Sequence, residues 1–120
     1  MRHLNKVKEF SRVKNQRQAL FKTMLGSLIM REKIKTTEAK AKELKRRIDR
    51  IVNKAKKSKI ENKKVAITRD LRNIIPAEAI KKITGEFLNR FGSRGSGYTR
   101  VVKIARRKSD GARMAMIEFV

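Results

Sequence analysis

The sequence predicts an α+β fold, mostly helical, in which about four helices pack on a small mixed sheet of about three strands that includes a C-terminal β-hairpin. Three observations lead there. Apolar residues between positions 41 and 55 recur at helical spacing, β-branched residues crowd the stretch from 98 to 120, and a single turn dipeptide, Asp110 Gly111, divides that stretch in two.

Taken in order, residues 1–14 hold Arg2, Lys6, Lys8, Arg12 and Lys14 around isolated Val7 and Phe10, without a sustained apolar period, and read as an extended basic arm. The remainder, 15–120, reads as one globular domain. From Asn15 the pattern turns helical: Leu20, Met24, Leu25 and Leu28 form a stripe that Ala19, Phe21 and Ile29 broaden, giving a first helix over 15–31. Gly26 inside it costs about 1 kcal/mol relative to Ala, so either another backbone packs closely there or the helix tolerates it. Residues 33–36 supply a candidate third strand. Thr36 and Thr37 open the next helix, since a Thr hydroxyl accepts an orphan N–H while Glu38 faces the positive helix end.

That second helix, over 38–57, carries the strongest periodicity in the chain: Ala41, Leu44, Ile48, Ile51 and Ala55. Lys56 Lys57 Ser58 Lys59 reads as a polar break, followed by a shorter helix through Val65, Ile67, Leu71 and Ile74. Pro76 ends it and starts a fourth helix, with Ile80, Ile83, Phe87 and Phe91 on one stripe. Gly92 Ser93 Arg94 Gly95 Ser96 Gly97 breaks all periodicity before strands over 98–106 and 113–120.

Charge sets the function class. Lys and Arg number 34 against 11 Asp and Glu, a net charge of +23, and a compact chain that basic repels itself unless an anion covers it. A nucleic acid is the leading partner, because displaced counterions supply strong affinity for phosphates. No apolar run approaches the roughly 20 residues of a membrane span, the first residues lead into charge rather than a signal peptide, and cysteine is absent. A cytoplasmic protein with no membrane insertion is expected.

Catalytic chemistry finds little material. His3 is the one histidine, which leaves no His pair for a metal and no triad on a rigid frame. Glu38 with Glu43, and Asp49 with Glu61, have the look of helix salt bridges. The glycine segment lacks the lysine and flanking elements of a phosphate cradle. The reading is therefore not an enzyme, with no metal, no cofactor and no small-molecule substrate.

Several separated segments carry a family resemblance: Met1 Arg2 His3; Arg17 Gln18 Ala19 Leu20 Phe21 with Ser27 Leu28; Ile34 Lys35 Thr36 Thr37 before Lys40 Ala41 Lys42 Glu43 Leu44; Ser93 Arg94; Gly97 Tyr98 Thr99 Arg100; and Met114 Ala115 with Ile117 Glu118. In order and spacing they resemble the bacterial large-subunit ribosomal protein family L-seventeen across nearly the whole chain. The sequence departs from that pattern at Gln16, Ser96 and Ser109, where the family pattern leads one to expect His, Gly and Gly. The resemblance implies a structural constituent of the large subunit, bound to large-subunit ribosomal RNA beside other ribosomal proteins, on the solvent side near the peptide exit tunnel.

The candidate RNA contacts are Arg2, His3, Lys6, Lys8, Arg12 and Lys14 in the arm, Arg17, then Lys40, Arg46, Arg47 and Arg50 on the second helix, and Arg94, Tyr98 and Arg100 around the glycine loop. Arg47→Glu is expected to weaken RNA binding and leave folding intact. For Tyr98 two readings stand: a ring that caps the core, or a stacking platform for a base, with Arg100 on the same strand face. A DNA-architectural nucleoid protein is the alternative function, disfavoured by the lack of a helix-turn-helix or dimerising heptads. An RNA-modifying enzyme is a third, lacking any cofactor motif.

Overall fold

The computed structural model describes residues 8–60 and 63–120. Helix α1 (Lys14–Arg31) leads into strand β1 (Lys33–Thr37) and the long helix α2 (Glu38–Ile60). Two short helices, α3 (Lys64–Arg72) and α4 (Ala77–Ile83), then precede a 3₁₀ helix (Glu86–Phe91) and the hairpin β2 (Thr99–Ile104) and β3 (Met114–Phe119). The expected α+β class is what the chain adopts.

β3 lies in the middle of the sheet, in the order β1-β3-β2. Both pairings are antiparallel, with Ile34 opposite Ile117 and Val101 opposite Ile117 from the other side, so the sheet is not mixed. The hairpin sets β3 against β2, and β1 docks on the remaining edge of β3 in the opposite direction. Gly111, at φ 67, supplies the left-handed residue that the turn needs, and the Arg107 N–H donates to the Ala112 carbonyl at 3.0 Å beneath it. The Asp110 Gly111 signal thus marks a real hairpin.

The α2 periodicity translates directly into burial, with Ala41, Leu44, Ile48, Ile51 and Ala55 all inside, joined by Val52. At the start of α2 the Glu38 N–H is taken by the Arg113 carbonyl at 2.9 Å, so the neighbouring hairpin rather than the Thr37 hydroxyl receives it. At the other end, Lys56 Lys57 Ser58 Lys59 does not break the helix. Lysine is a good helix former, and Ser58 is buried with its hydroxyl donating to the Ala55 carbonyl at 2.6 Å, which removes its usual preference for a turn.

On α1 the buried positions are Phe21, Leu25, Leu28 and Ile29, whereas Ala19 is exposed and Leu20 half-buried. Gly26 is explained by contact: a Cβ there would sit 2.7 Å from Cδ and Cγ of Pro76, so the close neighbour is a proline ring rather than a backbone. The helix closes on Glu32 in the left-handed region (φ 66), its carboxylate facing Lys82 at 3.4 Å and its carbonyl accepting from the Phe119 N–H at 3.0 Å.

The expected fourth helix is two pieces. Thr84 turns its hydroxyl back to the Ile80 carbonyl and Gly85 goes extended, so Ile80 and Ile83 belong to α4 while Phe87 and Phe91 belong to the 3₁₀ helix. Those rings build an edge-to-face cluster with the sheet: Phe87 with Phe119 at 5.1 Å and Phe91 with Tyr98 at 5.4 Å.

Candidate nucleic-acid interface

Six acidic side chains, Glu32, Glu38, Glu43, Asp49, Asp110 and Glu118, are spent on the fold. Glu38 pairs with Lys42 at 3.0 Å and Lys103 at 3.8 Å, Glu118 with Arg100 at 2.8 Å, and Asp110 with Arg107 at 2.8 Å. The hydrogen bond from Lys42 holds the Glu38 carboxyl below its ordinary range. Arg107 forks onto Asp110, and with the Ala112 N–H it lowers that carboxyl from 3.8 to about 2. Asp49 departs from the expected helix salt bridge: its carboxylate accepts the N–H groups of Gly97 at 3.4 Å and Tyr98 at 3.3 Å, tying the glycine loop to α2. Glu61 lies outside the described residues.

Around these pairs stands a large surplus of cations. Of the arm, Arg2, His3 and Lys6 lie outside the described residues. Lys8 is exposed and borders a depression with Lys42 and Arg113. Arg12 donates to the Phe10 carbonyl at 2.7 Å and Arg17 to the Arg12 carbonyl at 3.3 Å, which supports a turn at Phe10 and Ser11 and sets the Phe10 ring edge-on against Phe21 at 5.3 Å. Lys14 opens α1, exposed.

On α2, Lys40 is half-buried and Arg46, Arg50 and Lys54 follow one another at one-turn spacing. They rim a cavity of about 410 Å³ whose floor is Leu25, Ile51 and Ile74. Arg47 stands in its wall and is engaged twice: its Nε donates to Glu43 at 3.0 Å, and its guanidinium lies 4.2 Å from the centre of the Phe21 ring. Glu43 is only 8 % exposed. Reversing Arg47 to Glu would set a second carboxylate beside the nearly buried Glu43, so this variant is expected to lose stability as well as RNA affinity.

The glycine loop is anchored rather than slack. The Arg94 carbonyl accepts from Lys56 Nζ and lies 3.1 Å from the Tyr98 hydroxyl, which itself is 2.6 Å from Asn53 Oδ1. The Arg94 side chain is exposed, with a hydrogen bond to the Gly97 carbonyl at 3.5 Å. Gly97 takes φ 65. Tyr98 is 0 % exposed, packed on Phe91 with Lys56 over its ring at 4.7 Å. It therefore leaves the set of RNA contacts, having no face open to a base. It also precedes β2, so Arg100 does not share its surroundings and instead lies exposed against Glu118.

Sequence reasoning passed over the hairpin tip. Arg106, Lys108 and Arg113 are exposed around the locked Arg107–Asp110 pair, and Lys103 continues the patch down β2. The signal is the run Arg106 Arg107 Lys108 beside the turn, to which the sequence reading assigns no role. Asp49 and Asn53, the anchors of the glycine loop, had no signal, because nothing local in α2 announces a partner more than forty residues away.

A family sequence profile described as Ribosomal protein L17 matches residues 20–120, from the buried half of α1 to the end of the sheet. The chain belongs to that family. The L17 family comprises structural, non-catalytic constituents of the large ribosomal subunit, working within a ribonucleoprotein in translation, and RNA binding is typical of it. In this L17-family chain every α2 and hairpin cation named above falls inside the matched region, whereas the arm falls before it. No helix among the described residues is long and apolar enough to cross a membrane.

Proposed function

We propose that this chain binds large-subunit ribosomal RNA as a scaffold, through the arm, the cationic side of α2, Arg94 on its anchored loop, and the hairpin tip, and that it sits near the peptide exit tunnel beside other ribosomal proteins in the cytoplasm. One observation carries the reading: Glu32, Glu38, Glu43, Asp49, Asp110 and Glu118 are held by particular partners within the fold, while Lys8, Lys14, Arg50, Lys54, Arg94, Arg106 and Lys108 stand outside any ion pair among the described residues. Cations left unpaired on a folded frame are what phosphates need. Chemical footprinting of large-subunit RNA with the full chain tests this. Protection of discrete RNA segments is expected. Absence of any protection, or preferential recovery of chromosomal DNA after crosslinking in cells, would overturn it.

A further inference from the structure

We propose that the cavity beside the middle of α2 receives one unpaired nucleobase of the bound RNA; this rests on the RNA-binding reading above and specifies what enters there. At about 410 Å³ the cavity lies within the range of small-molecule sites, roughly 300–1,000 Å³. Leu25 and Ile51 at its back are already shut off from water, so the half-buried Ile74 is the apolar surface that a flat group would cover, and none of the three offers anything to a phosphate. Its rim does the reverse. Arg50 and Lys54, one turn apart and without acidic partners among the described residues, suit the phosphates on either side of an inserted base.

Between floor and rim stands Arg47. Its planar guanidinium is backed by the buried Phe21 ring at 4.2 Å and held by the 3.0 Å bond to Glu43, so it presents a fixed plane at the cavity wall. Splayed RNA bases stack on guanidinium planes of this kind. Paired RNA would meet the rim and leave Ile74 uncovered. An apolar protein side chain would cover the floor and leave the cations unanswered. An unpaired nucleotide satisfies both.

The test uses the full chain and two RNA hairpins identical except for a single-adenosine bulge. The bulged hairpin is expected to bind on the order of tenfold more tightly, the scale of one base stacked on a side chain. Ile74→Trp fills the cavity without altering charge, and Arg47→Lys keeps the charge while removing the plane. Each should equalise the two hairpins, and the uncharged change Ile74→Trp should in addition leave affinity for the paired one unchanged, with folding checked by circular dichroism. Equal, salt-sensitive binding of both hairpins by the unaltered chain, or a bulge preference that survives in both folded variants, overturns the cavity assignment and leaves the RNA reading standing. No binding to either hairpin overturns both.

Discussion

Single residues separate what holds the fold from what faces the partner. Thr99 is 3 % exposed and its hydroxyl has no hydrogen-bond partner, the one such buried side-chain group among the described residues. Replacing it by the isosteric Val removes an unmet polar group, and Thr99→Val should raise stability by about 1 kcal/mol in chemical denaturation. Arg94 and Gly97, three residues apart, should behave differently from each other. Arg94→Ala leaves its carbonyl, and hence the Lys56 and Tyr98 contacts, in place; we expect weaker RNA affinity with an unchanged melting temperature. Gly97→Val forces a β-branched side chain to φ 65, which it rarely adopts, so melting temperature and affinity should fall together. Identical RNA affinity for Arg94→Ala and the unaltered chain would reduce this loop to a connector.

Elements show where the sequence was readable. α2 and the hairpin were legible because each is decided locally, α2 by a stripe of apolar residues and the hairpin by Gly111 at a left-handed position. The split of the fourth helix and the continuity of α2 through Ser58 were not, and the burial of Tyr98 was legible only as one of two readings. Each is decided by a contact from elsewhere or by a side chain turning back on its own backbone. The candidate site was legible as charge and not as geometry, since nothing in the spacing of Arg47 reveals the Phe21 ring behind it. The α1–α4 junction yields a prediction of the same kind. Ala is the better helix former by about 1 kcal/mol, yet Gly26→Ala should lower the melting temperature, because a Cβ 2.7 Å from the rigid Pro76 ring forces two elements apart at a cost of roughly 1–3 kcal/mol. At the hairpin the Asp110 carboxyl is depressed to about 2, so its contribution to the turn is complete above the ordinary carboxylate range and is lost as pH falls through about 2. Amide resonances of Gly111 and Ala112 should shift in that acid window, and Asp110→Asn should abolish the transition.

Across the whole molecule, a net charge of +23 makes salt act with opposite signs on two measurements. Screening relieves self-repulsion in the free chain, so its melting temperature should rise with added salt. RNA affinity should fall instead, by roughly 10³ to 10⁵ between about 50 and 200 mM salt if some six to ten phosphates are contacted. A flat RNA affinity over that range would sink the electrostatic account.

The strand order has a further bearing, on the sequence of events as the chain is made. All backbone pairing in the sheet passes through β3, which is translated after β1, β2 and every helix. Until residues 114–119 emerge, β1 and β2 have no strand to bind, and the places of Ile117 and Phe119 in the core stand empty. The growing chain therefore passes through a stage in which its helices and most of its cations are already present but its sheet is not. On the proposed reading, contact with RNA and closure of the fold are then two processes racing for the same chain, and the last strand decides when the second can win.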